Sequence, residues 1–360
     1  YAHAAVLHGD TLVIFGGDTT NGRVNDVWSM GQLDSVCGCS PCEPGSYSGS
    51  DGATSCSECA AGKYSSELGA SAESACVSCD AAHVGYTSTS VGSPVCGVCA
   101  AGRYGSAGVS RGVDGECELA WSAVAVTSGT SPSARRGVGA VLYGDEMVIF
   151  GGYGDSSYLN DVWSLDLTTD TWSQVSTSGT SPSVRRGAAA VLYGHKMVIF
   201  GGDGELSDVW TLDLLTDTWA EMTTFGTSTP AGPAGRGFLH AVLYGDEMII
   251  YGGWSGSANL GDAWSLDLTT STWTSLSPVA GSGGSTPVAR RNSISVLHGS
   301  SMLVYGGHTD AGNSAELWSL DLTTVPYTWN EIAPAGTSAP AARYAHAAVL
   351  HGDTLVIFGG

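Results

Sequence analysis

A glycine pair recurs along the chain at Gly16-Gly17, Gly151-Gly152, Gly201-Gly202, Gly252-Gly253, Gly306-Gly307 and Gly359-Gly360. From Gly151 onward the steps are 50, 51, 54 and 53 residues. A period near 50 restricts the chain to stacked or ring-closed repeats, because a unit of that size gains its core from its neighbours. Each unit reads alike. VLYGDEMVIFGG (141–152) is two short apolar runs joined at a Gly-Asp turn, a hairpin signal. NDVWSLDLTTDTW (160–172) is a second hairpin with a polar TTD tip. Four strands per unit, with no helical period between them, predict one blade of a β-propeller.

Tryptophan spacing fixes the register of the units. Trp163/Trp172, Trp210/Trp219 and Trp264/Trp273 are nine apart and Trp318/Trp329 eleven apart, one on each third strand and one on each fourth. A large ring at each place predicts packing of one twisted sheet on the next, so these residues, with Trp28 and Trp121, are expected in the core. An aromatic residue precedes each glycine pair, and a Pro-x-x-Arg lead-in recurs at Pro132/Arg135, Pro182/Arg185, Pro233/Arg236, Pro287/Arg290 and Pro340/Arg343. With these motifs the chain resembles the kelch family, everywhere except the stretch between Val36 and Cys117. The resemblance implies an all-β kelch propeller of five full four-stranded blades and the first hairpin of a sixth. The glycine pairs are expected where backbone needs positive φ or close approach.

Blade one departs from the pattern. Trp28 and Trp121 are 93 residues apart, and all ten cysteines lie between them. The expected organisation is therefore the first three strands in 1–35, a cysteine-rich insertion in 36–118 and the rest of the propeller in 119–360. Cys37, Cys39, Cys42, Cys56, Cys59, Cys76, Cys79, Cys96, Cys99 and Cys117 have the density of a disulfide scaffold. CEPGSYS, CAAGKYSS and CAAGRYGS repeat after successive cysteines, and the stretch resembles the ephrin-receptor-like (GCC2/GCC3-type) module. The simplest pairing is Cys42–Cys56, Cys59–Cys76, Cys79–Cys96 and Cys99–Cys117. It leaves Cys37 and Cys39 over, and interleaved pairings remain open. Cys56-x2-Cys59-x16-Cys76-x2-Cys79 also has zinc-site arithmetic, but the continuing Cys96-x2-Cys99 would leave thiols over, so no metal is expected. Disulfides imply an oxidising, extracellular or cell-surface compartment, with attractin-like surface proteins as the nearest analogy.

Alternate loops of a blade share a face. The insertion occupies a 3–4 loop, which leaves the face of the 2–3 and 4–1 loops free. Two sets of residues are expected to converge there: Arg136, Arg186, Gly237, Arg291 and Tyr344 just after the lead-in arginine, and Asp18, Tyr153, Asp203, Trp254 and His308 just after the glycine pair. Resemblance to kelch proteins that bind acidic peptides implies a ligand site here. Arg136, Arg186 and Arg291 would serve as forks for carboxylate or sulfate, Tyr153 and Trp254 as stacking surfaces, and His308 as a further contact. The competing expectation is that these are turn residues, with the arginines paired to nearby Asp. The lead-in arginines themselves recur in every copy and are expected to be structural.

The formal charge of −21, from 13 Lys+Arg against 34 Asp+Glu, excludes nucleic acid and anionic membrane surfaces as direct partners. No run of apolar residues is long enough to span a membrane. Galactose oxidase shares the kelch-type propeller, but its copper centre needs a tyrosine–cysteine cross-link, and no blade holds a cysteine outside the insertion. No GxSxG, HExxH, P-loop or EF-hand pattern is present, so neither enzyme activity nor a cofactor is expected. The reading is a recognition or adhesion scaffold with a protein or acidic partner; the alternative is an intracellular kelch adaptor. Residues 1–17 and 344–360 are one string, YAHAAVLHGDTLVIFGG, which suggests a window on a longer array whose remaining strands would lie beyond residue 360.

Overall fold

The computed structural model describes residues 3–19, 22–30, 121–124, 131–203, 205–227, 230–333, 340–352 and 354–360, with short strand pieces between 40 and 118. Two compact units are present, Tyr1–Trp28 with Ala123–Gly360 and Ser29–Ser122. Within the second, two-residue strands pair: Ser40–Pro41 with Arg103–Tyr104, Ser46–Tyr47 with Ser57–Glu58, Lys63–Tyr64 with Val77–Ser78, and Ser110–Arg111 with Cys117–Glu118. The side chains of the ten cysteines and of Trp121, and with them the disulfide pairing, lie outside the described residues.

The first unit is built of antiparallel blades. Blade two is Gly139–Tyr143, Glu146–Tyr153, Tyr158–Asp166 and Thr171–Val175, in that spatial order. Blades three, four and five repeat it, beginning at Ala189–Tyr193, His240–Tyr244 and Ile294–His298. Blade one orders Ala4–His8, Thr11–Thr19, Gly22–Met30 and Trp121–Ala123, and Ala347–His351 with Thr354–Phe358 forms a sixth, two-stranded sheet. Neighbouring first strands pack side by side from Ala4–His8 through each blade to Ala347–His351 and back to Ala4–His8, so the ring closes through six positions. The fold is all-β, a kelch-type propeller.

Local chemistry explains each hairpin. Tyr143 pairs with Glu146 across a two-residue loop whose first residue, Gly144, has φ 59°, as strand twist requires. At the 3–4 tip, one Asp166 carboxylate oxygen accepts from the amides of Thr168 and Thr169, and Asp170 takes φ 54°. Three blades gain a fifth strand at the rim. Ser178–Gly179, Phe225–Gly226 and Val279–Ala280 each run parallel to the fourth strand of the following blade and cover its edge.

Between blades, the aromatic residue before each of the first four glycine pairs meets the fourth-strand Trp of the next blade edge-on, whereas Tyr305 meets His346 and Phe358 meets His3. Phe15–Trp172, Phe150–Trp219, Phe200–Trp273 and Tyr251–Trp329 all have centroids 5.0 Å apart. Trp163, Trp210, Trp264 and Trp318 are buried as expected. Trp28 is not: it is 36% exposed, because the position ahead of blade one offers a two-stranded hairpin where other blades meet a full sheet.

The glycine pairs and lead-in arginines are one device. The second glycine of the first five pairs donates its amide to the carbonyl of the next lead-in arginine, as in Gly152 to Arg185 and Gly253 to Arg290, both at 2.9 Å. The first glycine, at φ 70° for Gly252, leaves room for that carbonyl; a Cβ there would sit 2.6 Å from the Arg290 oxygen. Gly252→Ala is expected to cost about 2 kcal/mol or more in urea unfolding, combining left-handed strain with the clash. The arginine side chain turns inward beneath this contact. Arg135, Arg185, Arg236 and Arg290 are buried and pair with Asp161, Asp208, Asp262 and Glu316, which lie in or directly before their own blade's third strand. Burial opposes the charge on these carboxylates, but the arginine and tryptophan hydrogen bonds outweigh it and hold them below the usual range.

Candidate functional site at the channel mouth

The turn from Pro-x-x-Arg into each first strand places backbone at the mouth of the central channel. Two residues after each arginine the chain takes a positive φ: Gly137 65°, Gly187 65°, Phe238 58°, Asn292 52° and Ala345 53°. These five residues form a backbone collar. Gly187 donates its amide to Gly137, Phe238 to Gly187, Asn292 to Phe238 and Ala345 to Asn292, at 2.7–2.9 Å. Glycine fits this conformation freely, whereas Phe238 is held there against its own preference.

The two sets of residues foreseen on this face meet in pairs. Arg136 and Tyr153, Gly237 and Trp254, and Arg291 and His308 each form an isolated antiparallel bridge, and the Asp203 amide donates to the Arg186 carbonyl. Asp18, Arg136, Gly137, Arg186, Phe238, Asn292, Tyr344 and Ala345 line a cavity of about 230 Å³. Deeper in the channel lies a second space of about 90 Å³, lined by small residues with His3, His240 and Ser295. His240 donates from Nδ1 to the Ser293 carbonyl at 2.6 Å.

Electrostatics divide the three arginines. Arg136 is paired with Asp18 of blade one, and Arg186 with Asp203 at 2.8 Å. Tyr158 also donates to Asp203, at 2.8 Å, which raises the Tyr158 pKa. The Arg186 guanidinium lies among Tyr153, Tyr158 and Phe238, 5.1–5.5 Å from each centroid. Both forks therefore already hold carboxylates of this chain. Arg291 differs. It lies 4.4 Å over Trp254 and donates to the Asn259 side-chain oxygen at 2.9 Å, and among the described residues no carboxylate pairs with it. Asn259 in turn donates to Asp310 at 2.7 Å. His308 sits 5.6 Å from Tyr344 by ring centroids and contacts the Asn313 amide oxygen through Nδ1 at 3.0 Å.

Phe238, Tyr158, Asn259, Asn292 and Arg23 also belong to this face and were not singled out from sequence. Arg23 lies 4.5 Å over Tyr153. Phe238 and Asn292 had a readable signal: both align with the Gly137 and Gly187 positions of other copies. Among the described residues no group of His, Cys, Asp or Glu could hold a metal ion, and no helix is long and apolar enough to cross a membrane.

Comparison with known proteins follows the same repeats. The KLHDC2/KLHL20/DRC7 Kelch-repeats domain matches residues 116–232 and 227–360. Acyl-CoA-binding domain-containing protein 4 of Arabidopsis thaliana is 32% identical over 246 residues, 65% of this chain and 36% of that protein. Leucine-zipper-like transcriptional regulator 1 homolog of Drosophila melanogaster is 30% identical, over 65% of this chain and 19% of that protein. Kelch domain-containing protein 3 of Bos taurus is 29% identical, over 67% and 51% respectively. The chain thus spans about a third of the length of the first of these relatives and half of the last.

Proposed function

Because this chain belongs to the kelch-repeat family, we propose that it is a non-enzymatic protein-interaction scaffold that binds its partner at the channel mouth, on the face of the 2–3 and 4–1 loops. The observation that carries the reading is Arg291 stacked on Trp254 beside the collar, a cation and a flat ring with no carboxylate between them among the described residues. A partner's acidic group, peptide carboxylate or sulfate, is met there by a guanidinium whose orientation is already set. Arg136 and Arg186, held by Asp18 and Asp203, shape the wall. A screen of random-sequence peptides against the chain tests this. Selected binders are expected to weaken about tenfold or more with Arg291→Ala or Trp254→Ala, and to be unchanged by Leu215→Ala in a distant 3–4 turn. Binders indifferent to both mouth substitutions would overturn the assignment.

We further infer that residues 36–118 are a disulfide-stapled, ephrin-receptor-like module and that the protein works at the cell surface or outside the cell. The ten cysteines within 81 residues support this. Mass measurement after alkylation without reductant is expected to find no more than two free thiols. Ten would overturn the module and its compartment and favour the intracellular adaptor.

A further inference from the structure

The seams between blades are not filled alike. In each, a residue at the end of one blade's fourth strand joins a cluster with the leucine that follows the third strand of the next blade. Between blades three and four these are Met222 and Leu268, and Leu268 is 8% exposed. Between blades four and five they are Leu276 and Leu322, both buried. Between blades two and three the fourth-strand residue is Val175, and Leu214 is half-exposed. The shorter side chain leaves that seam open. Val124 and a half-exposed Leu167 repeat the pairing between blades one and two, where residues beyond the third strand lie outside the described ones.

The opening between blades two and three is a cavity of about 390 Å³, larger than either space along the channel. Val148, Val175 and Leu214 give it an apolar floor, and Tyr143 adds an aromatic ring. Asp145, Glu146 and Asp166 of blade two and Asp217 of blade three also line it, and none of its lining residues is Lys or Arg. Strand alternation puts Glu146 and Val148 on one face, so acid and floor are presented together. Ser164 holds the acid in place, its hydroxyl donating to Glu146 Oε2 at 2.6 Å. The other seams lack one half of this combination. His195 and Lys196 stand where Asp145 and Glu146 do at the seam of blades three and four; Asp246 and Glu247 keep the acids at the next, but Leu276 fills it.

We propose that the seam between blades two and three is a binding site for a small hydrophobic amine. At about 30 Å³ per water-sized group the cavity takes on the order of a dozen non-hydrogen atoms, more than the tip of one lysine side chain supplies. The carbon body of the ligand rests on Val148, Val175 and Leu214. Its ammonium lies among the carboxylates of Glu146, Asp166 and Asp217, beside the Tyr143 ring. Apolar burial supplies the affinity, and the fixed Glu146 carboxylate selects the charge. This inference is independent of the mouth reading, since it uses none of the mouth residues.

Tryptamine, an indole carrying one ethylammonium, is titrated calorimetrically into the 360-residue chain. Tryptophol, with a hydroxyl in place of the ammonium, and spermidine, with charge but no hydrophobic body, are the comparators. Tryptamine is expected to bind saturably at one site, and the two comparators about tenfold more weakly or worse. Val175→Met is expected to weaken tryptamine about tenfold by filling the floor as Met222 does in blade three, while its unfolding midpoint holds or rises. Glu146→Gln, a change at an exposed residue, is expected to weaken tryptamine about fivefold and leave tryptophol unchanged. Arg291→Ala should leave tryptamine binding as it is; its loss there would move the site to the mouth and overturn the proposal. Absence of saturable tryptamine binding, equal binding of tryptophol, or indifference to Val175→Met would overturn it as well. Tighter binding of spermidine, unmoved by Val175→Met, would overturn it in favour of an acidic surface alone.

Discussion

Arg236→Met is expected to lower the unfolding free energy by about 3–5 kcal/mol, measured by denaturant titration with an unchanged slope. Arg236 is fully buried, donating to both oxygens of Asp262 at 2.6 and 2.8 Å and to the carbonyls of Gly252 and Ala234 at 3.0 Å. Removing it takes this donor from two carbonyls and leaves the Asp262 carboxylate without its guanidinium, held by the Trp264 N–H at 2.7 Å. An isolated buried pair can be exchanged for apolar residues at little cost. Here the double variant Arg236→Met/Asp262→Leu is expected to stay destabilised, because the carbonyl of Gly252 still lacks its donor and Trp264 loses its acceptor on Asp262. Recovery to wild-type stability would show that the arginine serves the acid alone.

Acid is expected to weaken the ring before the carboxylates titrate. His346 is 2% exposed, lies edge-on to Tyr305 at 5.5 Å, and among the described residues has no hydrogen-bond partner at either ring nitrogen. Burial, then the nearby His240 and Arg343, push its pKa down from 6.5 to about 3; burial brings His3 to about 4. Between those values and 6.5 the unfolded chain takes up protons that the folded ring excludes. Stability is therefore full above pH 6.5 and falls as pH falls, by on the order of 4 kcal/mol for His346 alone by pH 3. Below about pH 4 the arginine-held carboxylates add loss of the same sign. His346→Leu is expected to flatten the decline between pH 6.5 and 4 and to be tolerated at pH 7, since Leu239 occupies the equivalent place in blade four. A variant that declines as steeply as wild type would remove His346 from this account.

Much of the propeller was legible because each blade solves the same packing problem with the same residues. Glycine pairs, tryptophan pairs and lead-in arginines are local signals repeated at a fixed period, and they fix strand order and faces. What was not legible depends on which copy stands beside which. Trp28 obeys the motif, yet its exposure follows from a hairpin more than 300 residues away in sequence. Arg136 and Arg291 occupy equivalent positions, but Arg136 meets Asp18 and Arg291 meets Asn259. No spacing rule foretells that difference, because the pairing crosses blades. Phe238 looked like a substituted glycine, and only the collar shows that its backbone keeps the glycine's conformation.

The collar has a mechanical consequence. Its amides and carbonyls run head to tail from Gly137 to Ala345, so neighbouring blades are tied in series around the opening. Among the described residues the series is an arc that ties blades two to five and the last hairpin, and no described bond of this kind carries it on to blade one. Blades three, four and five cannot tilt away without breaking collar bonds on both sides, so along this arc the rim resists being wedged wider by a ligand.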